Sequence, residues 1–312
     1  MKEITITAND AGQRLDRFLK KYFAKAPLSA IYKIIRKDLK LNGRRAKENT
    51  FLNEGDVLSF YMSEEEIAEL TASPKKRASA KRQFRIAYED ENIIAVEKPF
   101  GLLTHGDKTE KKNTLTNQVI DYLIEKGEYV PRLEKSFSPA PAHRLDRNTT
   151  GLVLFGKNAE SLRELTALMA DKEEGALSKY YLAICDGEIK EEAELTAYLT
   201  KDAKTNKVRV SARKSEGAKL IKTRVKPLKK KKGKSLVEVE LITGRPHQIR
   251  AHLAYIGCPV MGDPKYGHGS AQMLHAARLE FKNPKGKLEY LKGKSIECEP
   301  PEYFRQKVNE LF

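Results

Sequence analysis

The sequence offers little that would place it in a membrane, in the secretory route or around a metal ion. Its longest apolar runs fall far short of the roughly 20 residues that a bilayer span requires. The stretch MKEITITAND (1–10) has no apolar core of the signal-peptide kind, so secretion is not expected. Cys185, Cys258 and Cys298 are widely spaced and make no CxxC pair, which argues against a disulfide framework and a structural zinc site and makes the cytoplasm the expected compartment. There is no internal repeat. No strand–GxGxxG–helix and no GxxxxGK[ST] occurs, so dinucleotide and P-loop readings find no support. No GxSxG elbow supplies a serine nucleophile. His247 and His252 lie five apart, which does not put both on one helix face as the i,i+4 pair of HExxH does. Neither a metal nor a cofactor is expected.

What is abundant is positive charge. The chain has 312 residues, a formal charge of +16 and a pI near 9.5, so it is long enough for two domains and suited to a polyanionic partner. Residues 12–62 hold twelve Lys/Arg against five Asp/Glu, a net of +7 in a segment with its own apolar periodicity. In GQRLDRFLKKYF (12–23), Leu15, Phe18, Leu19 and Tyr22 recur at helical spacing. After Pro27, Ser29 is placed to cap a second helix, in which Ile31, Ile34 and Ile35 form the apolar stripe. LNGRR (41–45) reads as a tight turn and NEGDVLSFY (53–61) as a turn entering a strand. This order resembles the S4 (αL-type) RNA-binding domain, with its RLDxFL helix, SAxxxIR helix, VNG-type turn and GD-strand ending. The resemblance implies RNA contacts from Arg14, Arg17, Lys33, Arg36, Lys37, Arg44 and Arg45. EEEIAEL (64–70) reads as an acidic break, and the expected division is 1–72 for this domain, 73–83 for a flexible basic linker and 84–312 for the rest.

From residue 84, strand-like segments dominate: FRIAYED, NIIAVEK, GLVLFGK, KYYLAICDGE, KVRVSAR, LIKTRVK and SLVEVELIT. Helical periodicity appears at 113–127, 159–171 and 245–257. Consecutive strands with inserted helices predict an α+β domain with a mixed, largely antiparallel sheet. The Lys-rich KPLKKKKGK (226–234) between two strands reads as a hairpin tip.

The residues with chemical promise lie in HRLDRNTTG (143–151), where Asp146 stands between Arg144 and Arg147 at the mouth of the apolar LVLF. Surface salt-bridge residues are the ordinary reading of such a cluster. An arginine about 4 Å away in a partly shielded site attracts a carboxylate by roughly 4 kcal/mol before desolvation. A carboxylate held ionised in that way is useful as a nucleophile and useless as an acid.

HRLDRNTTGLVLF resembles the HRLDxxTSG signature of the RluA family of RNA pseudouridine synthases, with Asp146 at the position of the family's catalytic aspartate. EKPFGLLTH (97–105) resembles the family's KPxGLxxH block, SKYYLAICDG (178–187) its KxYxAxxxG block, and LITGRPHQIRAHL (241–253) its LxTGRxHQIRxH block. Thr150 stands where serine is frequent and Pro246 where threonine is. The resemblance places the active-site tyrosine at Tyr181, with Tyr180 beside it as the other candidate. It places the aspartate's arginine partner at Arg245, with Arg144 holding a flipped-out nucleotide and His105 and His247 as scaffold or RNA contacts. The implied reaction breaks the N1–C1′ bond of a uridine, turns the base and joins C5 to C1′. Tyr181 would stack on the uracil and assist removal of the C5 proton. The expected substrate is large-subunit rRNA, with tRNA open, and the expected state is a monomer. A noncatalytic S4-type RNA binder is the alternative, and the Asp/Tyr/Arg set argues against it.

Overall fold

A computed structural model describes residues 1–71, 80–131, 133–170, 175–201 and 207–312. The N-terminal unit comprises β1 (Lys2–Thr5), α1 (Leu15–Tyr22), α2 (Leu28–Lys37), β2 (Leu39–Leu41), β3 (Val57–Phe60) and α3 (Glu64–Leu70). Its antiparallel sheet runs β1-β3-β2. Leu15, Phe18, Leu19, Ile31, Ile34 and Ile35 recur three and four residues apart, so two helices bury one stripe each against Leu58 and Phe60. Asn42 and Gly43 take positive φ (49° and 76°), and Leu41 and Arg44 exchange backbone hydrogen bonds across that turn. Two local expectations change. Pro27, not Ser29, caps α2, because its fixed φ of −67° already suits the helix entry. The acidic 64–70 is a helix: Ser63 and Glu66 make a reciprocal capping box, and Ile67 is buried.

The larger unit is α+β. Its elements are β4 (Arg85–Glu89), β5 (Ile93–Lys98), α4 (Leu115–Glu125), β6 (Ala140–Pro141), β7 (Thr150–Gly156), α5 (Ala159–Ala170), β8 (Leu177–Asp186), β9 (Ala193–Lys201) and β10 (Val208–Ser211). After these come β11 (Lys219–Lys231), β12 (Lys234–Leu241), α6 (Gln248–Tyr255), β13 (Leu274–Phe281), a 3₁₀ turn (Gly286–Leu291), β14 (Ser295–Glu297) and α7 (Glu302–Leu311). The sheet runs β10-β9-β11-β12-β8-β13-β7-β5-β4, with β14 on β13 and β6 on β7. Every pairing is antiparallel except that of β7 with β13. Val153 and Phe155 face one core while Leu152 and Leu154 face another, which explains why LVLF is continuously apolar. The Lys-rich hairpin between β11 and β12 turns at Lys232-Gly233, both at positive φ.

The two units meet through polar contacts. Asp10 is fully buried and accepts from Ser136 Oγ at 2.7 Å and Thr7 Oγ1 at 3.0 Å. Asn9 Oδ1 accepts from Ala159 N at 3.1 Å, at the start of α5. The flexible linker expected at 73–83 lies largely outside the described residues. Its described end is anchored on α4, with Ala80 N donating to Asp121 Oδ2 (3.3 Å) and Gln83 N to Gln118 Oε1 (2.8 Å). Among the described residues, no helix is long and apolar enough to cross a membrane.

Candidate active site

Asp146 lies in the loop between β6 and β7, and the surrounding side chains hold that loop by its backbone. Thr104 Oγ1 both donates to Leu145 O (3.0 Å) and accepts from Leu145 N (3.2 Å). Lys98 is 1% exposed, and its Nζ donates to the carbonyls of Pro99, Leu102 and Arg147 at 2.8–3.0 Å. Burial brings the Lys98 ammonium down to about 7, with the charge of Asp146 opposing. Gln272 Nε2 donates to Thr149 Oγ1 at 2.8 Å, and Thr150 Oγ1 lies 2.8 Å from His275 Nδ1. Gly151 completes the loop at φ 108°, where a Cβ would stand 2.1 Å from Ala276 O on β13. The glycine thus permits the parallel β7–β13 junction, and Ala276 in turn pairs with Tyr181 of β8. The block EKPFGLLTH and the aspartate loop are two halves of one support.

A cavity of about 640 Å³ opens over this loop, and Arg144, Asp146, Tyr181, Arg245 and His247 all line it. His105 does not: it is half-buried, 3.3 Å from Thr116 Oγ1, and both burial and the charge of Arg144 lower its pKa. Among the described residues, Asp146 is the only acid lining the cavity, against Arg144, Lys179, Lys201, Arg245 and Arg250.

The expected partnership of Asp146 with Arg245 is corrected. Arg250 Nη1 donates to Asp146 Oδ2 at 2.6 Å. Arg245 sits in the turn before α6, where its Nε is buried without a hydrogen-bond partner among the described residues. His247 takes φ 54° at the helix start, and the phase of α6 then turns Arg250 inward beneath the carboxylate. Asp263, fully buried, holds the other edge of Arg250, accepting from Nε (2.6 Å) and Nη2 (2.8 Å). Burial alone would raise the Asp263 carboxyl, but Arg250 and the N–H groups of Lys265 and Tyr266 outweigh it and hold the pKa low. One guanidinium therefore bridges a buried carboxylate and an accessible one, which leaves Asp146 Oδ1 facing the cavity.

His247 Nε2 lies 3.8 Å from that oxygen, and its Nδ1 is 2.9 Å from the Tyr266 hydroxyl. The hydroxyl accepts from Val208 N at 3.0 Å and has its own proton to give to Nδ1, an arrangement in which Nε2–H faces Asp146. Burial lowers the His247 pKa, with the charge of Asp146 opposing and those of Arg250 and Lys265 adding to the fall. Tyr181 is 7% exposed; burial, then the Asp146 charge, raise its phenol, so it is protonated at neutral pH. Tyr180 alternates away, with the Arg278 guanidinium 3.8 Å over its ring.

Arg250, Asp263, Lys98 and Tyr266 were not singled out from the sequence. Arg250 and Lys98 stand inside quoted motifs, whereas Asp263 and Tyr266 come from GDPKYG, which no periodicity marks. Arg14 is paired with Asp16 (2.7 Å), while Arg17, Lys33, Arg36, Lys37, Arg44 and Arg45 are exposed on the N-terminal unit. Among the described residues, no three His, Cys, Asp or Glu side chains gather closely enough to hold a metal.

Residues 92–255 match the RNA pseudouridylate synthase family. The chain is 33% identical over 305 residues to an uncharacterized RNA pseudouridine synthase of Mycoplasma capricolum, a match covering 95% of this chain and 97% of that one. It is 32% identical to the ribosomal large subunit pseudouridine synthase C of Escherichia coli, covering 91% and 89% respectively. The solved structure of human RNA pseudouridylate synthase domain containing 4 shares the fold, with a TM-score of 0.57 and 22% identity over 72% of this chain and 92% of that one. The chain belongs to the RNA pseudouridine synthases, isomerases that convert uridine to pseudouridine in RNA.

Proposed function

We infer that this enzyme modifies uridines of large-subunit rRNA and that Asp146 is its catalytic carboxylate. The observation that carries the assignment is a carboxylate that is the one acid among the described residues lining a cavity with five cations, one oxygen held by Arg250 and the other 3.8 Å from His247 Nε2. The flipped uridine enters the cavity at a cost of a few kcal/mol of unstacking. Asp146 Oδ1 acts at the sugar as the N1–C1′ bond breaks, and Arg250 keeps the carboxylate aimed. The freed uracil turns against the face of Tyr181, its C5 bonds to C1′, and the C5 proton is lost as N1 gains one. Tyr181 and Asp146 are the groups among the described cavity residues placed to assist removal of the C5 proton. Arg144, Arg245, Lys179 and Lys201 line the same cavity and hold the flanking phosphates.

The rRNA substrate is supported by similarity to the Escherichia coli large-subunit enzyme over about nine-tenths of both chains. The N-terminal unit serves as an S4-type RNA grip, supported by its exposed cations and by a helix, helix, turn, strand order. Mapping pseudouridines in total RNA with and without the gene tests the target. Sites lost from large-subunit rRNA alone are expected; losses confined to tRNA would overturn the assignment.

A further inference from the structure

The junction between the two units carries a cluster of positive charge outside the cavity. Arg17 and Lys21 are four residues apart on α1 and share a face, away from the buried Leu15, Phe18 and Leu19. Arg163 of α5 reaches the loop just before α1 from the other unit. Its Nη1 donates to Ala11 O at 3.2 Å, and its guanidinium lies 3.0 Å from where a Cβ on Gly12 would stand. Lys21 Nζ donates to Gln13 Oε1 (3.1 Å), while Gln13 Nε2 donates to Asp10 O and, across the junction, to Ser136 Oγ. Burial lowers the Lys21 ammonium; Asp10 opposes that, and Arg163 and Arg17 add to it. Asp10 is itself occupied by Thr7, Ser136 and Lys135. Among the described residues, no carboxylate lies within ion-pair distance of Arg17, Lys21 or Arg163.

Position adds to charge. Ala159, Arg163, Thr166 and Ala170 follow one face of α5, from the Asn9 contact to the wall of the active-site cavity. Arg163 and Ala170 are two turns apart, about 10 Å at 1.5 Å per residue. A strand leaving the cavity along this exposed face reaches the cluster within that distance.

We propose that Arg17, Lys21 and Arg163 form a binding site for a backbone phosphodiester of the substrate RNA, shared by the two units and adjacent to the nucleotide in the cavity. The proposal rests on RNA being the substrate, not on which RNA it is. Arg163 supplies a planar fork and Lys21 a point charge, a pairing suited to a tetrahedral anion. The fixed junction then holds the strand in register with Asp146.

The test is binding of the full-length protein to a labelled 20-nucleotide oligouridylate across a range of salt, a probe independent of the natural target. Arg163→Gln and Lys21→Gln should each weaken binding several-fold and flatten the log–log salt slope by about 0.7. Arg163→Lys should keep most of the slope, and the double variant should lose less than the sum, because one phosphate is shared. Lys307→Gln, on α7, measures the effect of merely removing a charge. Junction variants that change binding no more than Lys307→Gln does overturn the proposal. So does an effect confined to Arg163 variants together with lowered thermal stability, which would make Arg163 a docking residue. Failure of the rRNA assignment would leave the oligouridylate result untouched.

Discussion

Replacing Arg250 by lysine keeps its charge and removes its geometry. The guanidinium makes three charge-assisted bonds, two to Asp263 and one to Asp146. A single ammonium on a shorter head can serve one carboxylate well but not bridge both. Each such bond contributes about 1.5–3 kcal/mol, so losing one or two should cost about 3 kcal/mol of stability. Releasing Asp146 from its donor should lower turnover by about 10²–10³, the size seen when one positioned donor is removed from a site. Arg245→Lys should be mild by comparison, because Arg245 holds no carboxylate among the described residues. The acid-side pH dependence gives a second reading. The folded pKa of Asp263 lies below its unfolded value of about 3.9, so its stabilisation is complete above that value and lost as pH falls through the folded pKa. In Arg250→Met the buried carboxyl loses its partner and its pKa rises, so its contribution must instead be lost as pH rises. Tritium release from RNA labelled at uridine C5 measures turnover, and denaturant titrations between about pH 2 and about pH 7 measure stability. The reasoning fails if Arg250→Lys keeps half of wild-type turnover, or if Arg250→Met preserves the wild-type sign of pH dependence.

Asp146→Asn should abolish tritium release while RNA binding stays within a few-fold; turnover above about one per cent in the purified variant contradicts its role. Lys98, at about 7 in the folded protein against about 10.4 unfolded, should make stability rise with pH between those values. Lys98→Met should flatten that rise, read as the denaturation midpoint at neutral and alkaline pH. Gly151→Ala should cost about 3 kcal/mol or more, since its Cβ would meet Ala276 O at 2.1 Å. A melting temperature within about 2 °C of wild type would mean that β7 and β13 can part freely.

Much of this protein is written in local pattern. The stripe of Leu15, Phe18 and Leu19 specifies a helix whatever surrounds it, and LVLF requires a strand buried on both faces. The four blocks around Asp146, Tyr181, Lys98 and Arg245 are also visible by residue type and order. Ser63 and Glu66 stand at capping-box spacing, although the acidic composition of the run they open reads as a break. Which of two arginines five residues apart reaches Asp146 could not be read, because a left-handed residue at His247 sets the phase of α6. Asp263 gains its meaning only from the Arg250 it faces. LHAARLEF mixes polar and apolar residues without clear alternation, yet as β13 it joins β7 to β8 and brings Asp146 near Tyr181. Composition marks residues 12–62 as basic, whereas the meeting of Lys21 with Arg163 depends on how Asp10 and Asn9 dock against 134–136 and α5. Periodicity encodes what a segment buries against its own neighbours. Charges that meet across more than a hundred residues are decided by packing, because only the folded chain brings them within the few ångströms over which they act.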